Sequence, residues 1–142
     1  MKRLVPMLAA LLALGACGDS GPAPTPTVRL AAVPGRPAAG YFEFRIDGDR
    51  GALVSVASPQ AGRIEMHETM TSGTMASMRP LARVPVRAGE TLRFASGGRH
   101  LMLYDVDPAV RPGGTIVLTL TFERGPPTPL SFVVAAAGDE VR

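Results

Sequence analysis

The sequence has one cysteine and no tryptophan, and both shortages exclude classes of protein. A lone Cys17 cannot form an intramolecular disulfide, a C-x-x-C redox pair or a four-cysteine zinc site. Aromatic residues make up 5% of the chain, so stacking platforms for nucleic-acid bases are not expected. Of 15 Lys and Arg residues, 13 remain beyond the leader residues Lys2 and Arg3, against 12 acidic residues. This near balance gives no basic footprint, and no nucleic-acid partner is expected.

Residues 1–17 have the pattern of a lipoprotein signal peptide. A short basic start precedes about a dozen apolar residues, fewer than the roughly twenty that a membrane-spanning helix needs. The run ends in L-G-A-C at Cys17, which resembles the bacterial lipobox, where the cysteine becomes the lipidated first residue. An ordinary secretory peptide with an incidental cysteine is the alternative. We expect lipidation of Cys17 and a periplasmic or otherwise extracytoplasmic protein, anchored to a membrane by lipid.

The segment that follows the cysteine predicts a spacer between this anchor and a folded domain. Residues 18–27 read G-D-S-G-P-A-P-T-P-T, with proline at every second position from Pro22 to Pro26. Such a segment cannot bury a core and is expected to be extended and partly stiff. Residues 28–142 then form one domain of ordinary size.

Period-2 alternation of apolar and polar residues predicts that this domain consists of strands. Eight or nine short segments carry the pattern at intervals of about ten residues, bounded by glycine and proline. They include 42–47, 100–103, 116–123 and 130–135. No helical pattern of ten or more residues appears beyond the leader. The expected fold is all-β, a Greek-key antiparallel β-sandwich.

The two histidines of the chain lie in one stretch with regularly placed methionines. Met78 follows His67 by eleven positions, His100 comes twenty-two positions later, and Met102 two positions after that, giving H-x10-M-x21-H-x-M. Thioether sulfur suits Cu(I), and imidazole accepts copper in either oxidation state. The pattern therefore predicts a Cu(I) site made of two histidines and two methionines.

Strand alternation places both histidines on the outer face of the sandwich. Successive side chains leave opposite faces of a strand, so His67 points away from the core if Met66 points into it. By the same rule Leu101 points inward, which leaves His100 and Met102 together on the outer face, about 7 Å apart along the strand. We therefore expect neither histidine to be a core residue.

The remaining methionines have less regular positions. Met78 is expected in a loop over 69–80, where a methionine without an apolar partner is either exposed or a ligand. Met70 and Met75 lie in the same segment, and for them gap-filling at the sandwich edge is preferred to ligation. Met66 is expected in the core and is kept as an accessory ligand candidate.

Three short motifs accompany this spacing: M-H-E at its start, M-R-P at 78–80 and G-G-x-H-L-M-L at 97–103. The spacing and the motifs together resemble those of the PCu(A)C family of periplasmic copper chaperones. The resemblance covers roughly 28–122 and is most specific in 66–103. It implies a cupredoxin-like β-sandwich that is not an enzyme and delivers Cu(I) to cytochrome c oxidase assembly. The implied partners are the oxidase subunit that carries CuA and Sco-type proteins. The ligands that it implies all match: His67, Met78, His100 and Met102.

Other functions remain open at this point. A blue-copper protein needs a cysteine thiolate beside two histidines, and Cys17 is in the lipobox. Zinc prefers histidine, cysteine and carboxylate to thioether, and although Glu65 and Glu68 flank His67, no H-E-x-x-H motif is present. A haem with His and Met axial ligands would lack an obvious crevice. A copper storage or resistance lipoprotein, and a scaffold lipoprotein without metal, are the main alternatives.

Overall fold

A computed structural model describes residues 24–139 of the chain. The predicted signal peptide, Cys17 and most of the predicted spacer lie outside these residues. Within 24–139 there is no helix, and hence no helix long and apolar enough to cross a membrane. The ten strands are β1 (Thr27–Arg29), β2 (Ala38–Arg45), β3 (Ala52–Ala57), β4 (Ala61–Ser72), β5 (Met75–Leu81), β6 (Val84–Pro85), β7 (Thr91–Phe94), β8 (Arg99–Val106), β9 (Thr115–Phe122) and β10 (Thr128–Ala135).

The strands join in the order β5-β4-β8-β2-β1-β10-β9-β3-β6, with β7 paired to β2 outside this path. Pairs of strands that are distant in the chain, such as β4 with β8 and β3 with β9, are typical of Greek-key connections. The all-β prediction is confirmed. The sheet is mixed rather than wholly antiparallel, because β1 is antiparallel to β2 and parallel to β10. A strand of three residues carries too little alternation to predict its neighbours.

The sheet curls so that its apolar face encloses one core. Phe44 of β2 lies 6.0 Å from Phe122 of β9, ring centroid to ring centroid, although these strands are three apart in the sheet. Phe42 packs at the centre, stacked on Phe94 at 4.8 Å and edge-on to Phe132 at 5.7 Å. The largest fully buried side chains are Phe42, Phe94, Phe132, Ile46, Leu53, Leu92, Leu101, Leu103, Ile116, Leu118, Leu120 and Val28.

β8 lies close to β2 because the β2 residue opposite Leu101 is a glycine, which has no side chain. Gly40 pairs with Leu101, and a Cβ added at Gly40 would lie 3.1 Å from the Leu101 Cβ. This approach fits Leu101 into the core with no exposed surface. The next residues of β8 on the other face are thereby held on the outside of the sandwich, as the alternation predicted.

β4 and β5 form a long hairpin whose end extends beyond the core. Their register runs from Met66 opposite Leu81 to Ser72 opposite Met75, and a two-residue turn with Gly73 at φ 61° joins them. Such a turn needs a positive φ, which glycine adopts readily. Residues 70–80 are exposed. The loop expected over 69–80 is therefore wrong, because pairing with β4 makes a strand of a segment that has no alternation of its own.

Candidate metal centre

β4 and β8 place the two histidines directly opposite each other. His67 pairs with His100 in the antiparallel register, so both side chains leave the same face of the sheet. The ring centroids are 6.0 Å apart. Metal–imidazole bonds are about 2 Å long, so a single ion between the rings could be bonded to both of them.

Both imidazoles are shielded from water although they lie on the outer face. His100 is 6% exposed, and the side chain of His67 is 13% exposed. The predicted direction of both side chains is confirmed by the register, whereas the burial of His100 was not expected. A metal ion held between the two rings would be largely shielded from water.

His100 is fixed by the backbone. Its Nδ1 lies 3.1 Å from the carbonyl oxygen of Gly98, which also accepts a hydrogen bond of 3.1 Å from the backbone N–H of Thr69. A carbonyl oxygen can only accept, so Nδ1 carries the proton of the neutral ring. The lone pair of His100 is therefore on Nε2, the nitrogen that remains for a ligand.

His67 contacts a carboxylate that lies two residues earlier on the same face. Nε2 of His67 is 2.9 Å from Oε2 of Glu65. This hydrogen bond lowers the pKa of Glu65 below its ordinary value against the opposing effect of desolvation, and the nearby charge of Arg63 lowers it further. The other ring nitrogen, Nδ1, is buried and has no hydrogen-bond partner in the described part of the chain. Buried polar atoms without partners are rare and costly, so this nitrogen fits the position of a metal ligand.

The two predicted methionine ligands lie on the same face as the histidines. Met102 is two residues beyond His100 on β8, opposite Glu65, and is half-buried. Met78 is on β5, opposite Thr69, which is two residues beyond His67, and Met78 is 58% exposed. Diagonal neighbours of this kind are about 7–8 Å apart, within reach of a long side chain. Three adjacent strands therefore carry all four predicted ligands on one face.

The other methionines of this region face the opposite way. Met66 is 5% exposed and belongs to the core cluster, as its alternation predicted. Met70 pairs with Ser77 and Met75 with Ser72, which places both methionines on the face that continues the core side of the hairpin. Both side chains are exposed there, Met70 by 47% and Met75 by 76%.

Glu65 and Arg63, which the sequence did not identify as site residues, fix the position of His67. Glu65 contacts the Arg63 guanidinium through its second oxygen at 2.8 Å, and the guanidinium lies 4.1 Å from the centre of the Tyr104 ring. Strand alternation could have identified both residues, because Arg63 and Glu65 precede His67 by four and two residues and therefore lie on the same face of β4. No group of three or more His, Cys, Asp or Glu side chains within 24–139 is arranged to hold a metal ion.

Sequence comparison relates the chain to lipoproteins. The family model described as "Putative lipoprotein LpqE-like" matches residues 24–134. "Putative lipoprotein Lxx21020" of Leifsonia xyli subsp. xyli is 34% identical over 85 residues, which are 58% of this chain and 50% of that protein. The chain thus spans about half the length of this curated relative.

Two solved structures have the same fold as this chain. The copper-bound PCuAC domain from PmoF2 superposes with a TM-score of 0.64 at 20% identity, over 80% of this chain and 90% of that domain. Apo-DR1885 from Deinococcus radiodurans gives 0.53 at 26% identity, over 96% and 94%. The resemblance to PCu(A)C domains and the cupredoxin-like fold are confirmed.

Proposed function

The chain belongs to the LpqE-like family, and we propose that it is an extracytoplasmic copper chaperone that binds one Cu(I) and is not an enzyme. The proposed ligands are His67, Met78, His100 and Met102. One observation carries the proposal: His67 and His100 face each other across β4 and β8, with a buried His67 nitrogen that has no partner among residues 24–139. The methionines on the same face supply the soft donors that select Cu(I).

The four ligands differ in exposure, which suits a protein that must both hold and release its cargo. The two imidazoles are shielded and fixed by hydrogen bonds, whereas Met78 is exposed on β5, the end strand of the sheet. Thioethers carry no charge, so a ligand from a partner can replace one without separating charge. The imidazoles would retain the ion while Met78 is exchanged.

We propose the CuA-bearing subunit of cytochrome c oxidase, or a Sco-type protein, as the recipient. The support is the resemblance of the motif over 66–103 to that of PCu(A)C chaperones. A lipid on Cys17 would keep the domain at the membrane surface where such a subunit is assembled, on a spacer formed by residues 18–27. The lipoprotein description of the family and of its relative supports this anchor.

The test is an anaerobic competition titration of residues 18–142 against a chromophoric Cu(I) chelator. We expect one tightly bound Cu(I) per chain and much weaker binding of Zn²⁺, because thioether is a poor zinc ligand. Transfer to an apo CuA domain then separates a chaperone from a storage protein, which would retain its copper. A chain that binds no Cu(I) in this titration would contradict the proposal.

Replacing the exposed ligand is expected to weaken the site without abolishing it. Met78→Ala leaves the two imidazoles and Met102, so we predict roughly a tenfold loss of Cu(I) affinity, about 1.4 kcal/mol, and a changed rate of transfer to the chelator. Met75→Ala is the matched control, since Met75 lies on the same hairpin and is 76% exposed on its other face. Equal affinities and rates for both variants would exclude Met78 as the first ligand released.

A further inference from the structure

We propose that Glu65 is a positioning residue that fixes His67 in the tautomer that presents Nδ1 to the metal. The inference rests on the proposed function for its consequence, while the tautomer itself is a property of the metal-free protein. It assigns different ligating nitrogens to the two histidines, Nδ1 in His67 and Nε2 in His100.

The first step is the direction of the hydrogen bond between Glu65 and His67. Oε2 of Glu65 lies 2.9 Å from Nε2 of His67. The second oxygen of the carboxylate accepts from Arg63 Nε at 2.8 Å. An ionised carboxylate has no hydrogen to donate, so Nε2 must supply the proton of the bond. In the neutral ring the lone pair is then on Nδ1.

The second step is the surroundings of Nδ1. This atom is buried and without a hydrogen-bond partner within residues 24–139. In the opposite tautomer an N–H would be buried unsatisfied, and a lone pair would face the Glu65 carboxylate. The tautomer with the proton on Nε2 avoids both penalties, and it leaves a buried acceptor that a metal ion would satisfy.

The third step is what holds the carboxylate. Arg63 binds it from the next outward position of β4, and the guanidinium packs over the ring of Tyr104 at 4.1 Å from the centroid. Tyr104 is the partner of Arg63 in the β4–β8 register, the same register that places His67 opposite His100. Glu65 is therefore fixed by the two strands that also carry the imidazoles.

The fourth step is the contrast with the other histidine. His100 donates from Nδ1 to the Gly98 carbonyl and keeps its lone pair on Nε2. A carboxylate is the stronger acceptor of the two, so it makes the His67 ring the more electron-rich ligand. We expect His67 to be the imidazole that retains copper longest during transfer.

The tautomers can be measured without copper. Long-range ¹H–¹⁵N NMR of the metal-free chain at pH 8 is expected to show His67 protonated on Nε2 and His100 on Nδ1. In Glu65→Ala the His67 signals should move toward a mixture of tautomers, while His100 stays unchanged. Glu68→Ala is the matched control. Glu68 directly follows His67 on β4, so its side chain points to the opposite face, where it forms an ion pair with Arg79.

The same variants are expected to differ in their affinity for Cu(I). Glu65→Ala should lower Cu(I) affinity about 10–100-fold, the usual effect of removing a partner that orients a ligand. Glu65→Gln, which keeps an acceptor oxygen and nearly the same volume, should lose less, and Glu68→Ala should lose nothing. Because Glu65→Gln preserves the shape of the side chain, it can replace Glu65→Ala in both measurements if Glu65→Ala folds poorly.

The outcomes separate this inference from the proposed function. His67 protonated on Nδ1 in the wild type would overturn the role of Glu65, whether or not copper binds. An unchanged His67 tautomer in Glu65→Ala would do the same. A wild type that shows the expected tautomers, shifted in Glu65→Ala, but binds no Cu(I), would support the positioning and refute the chaperone.

Discussion

Replacing His100 by alanine is expected to reduce Cu(I) affinity on the order of a thousandfold, about 4 kcal/mol. His100 is buried and held by Gly98, so its Nε2 is directed before copper arrives and no ordering has to occur on binding. The chain has no third histidine that could take its place. The measurement is the anaerobic competition titration, with wild type and variant at equal chelator concentrations.

The control for this variant is Met70→Ala, which truncates an exposed side chain on the opposite face of the β4–β5 hairpin. We expect wild-type affinity for this control. Circular dichroism of both metal-free variants establishes that they are folded. An affinity of folded His100→Ala within threefold of the wild type would mean that His100 is not a ligand.

Phe42→Ala is expected to lower the free energy of unfolding by about 3–5 kcal/mol, the usual cost of removing a buried phenylalanine ring. Phe42 is 2% exposed and joins three strands, since it stacks on Phe94 of β7 and contacts Phe132 of β10 edge-on. Aromatic pairs of this geometry add to the energy of burial. Urea unfolding of the metal-free domain, followed by far-UV circular dichroism, measures the change.

Phe44→Ala provides the comparison within the same strand. Phe44 is only partly buried and meets a single ring, Phe122, so its truncation should cost clearly less. If Phe42→Ala destabilised the domain no more than Phe44→Ala, the core would not be centred on the Phe42 cluster.

The sequence was sufficient to predict the face of the sheet that His67, His100 and Met102 occupy, but not that of Met78, which was expected in a loop. In β8, Leu101 is buried and Met102 is on the other side, as period-2 alternation requires. Alternation is a local property of the backbone, so it needs no knowledge of neighbouring strands. The same rule places Glu65 on the His67 face, two residues earlier on β4.

The contact between the histidines could not be predicted in this way. His67 and His100 meet because β4 pairs with β8 in one particular register, and a shift of one residue would turn one side chain to the other face. That register depends on packing of the whole sandwich. The hairpin end was missed for a related reason: the segment of β5 around Met78 has small and polar residues, and its strand structure comes from β4.

The ligand set is tested most directly by X-ray absorption at the copper edge on Cu(I)-loaded residues 18–142. Residues 18–142 contain no cysteine, so any protein sulfur bonded to copper must come from methionine. We predict two nitrogen and two sulfur neighbours, and the loss of one sulfur in Met102→Ala. Copper surrounded by nitrogen and oxygen alone, or a sulfur count that Met102→Ala leaves unchanged, would contradict the proposed site.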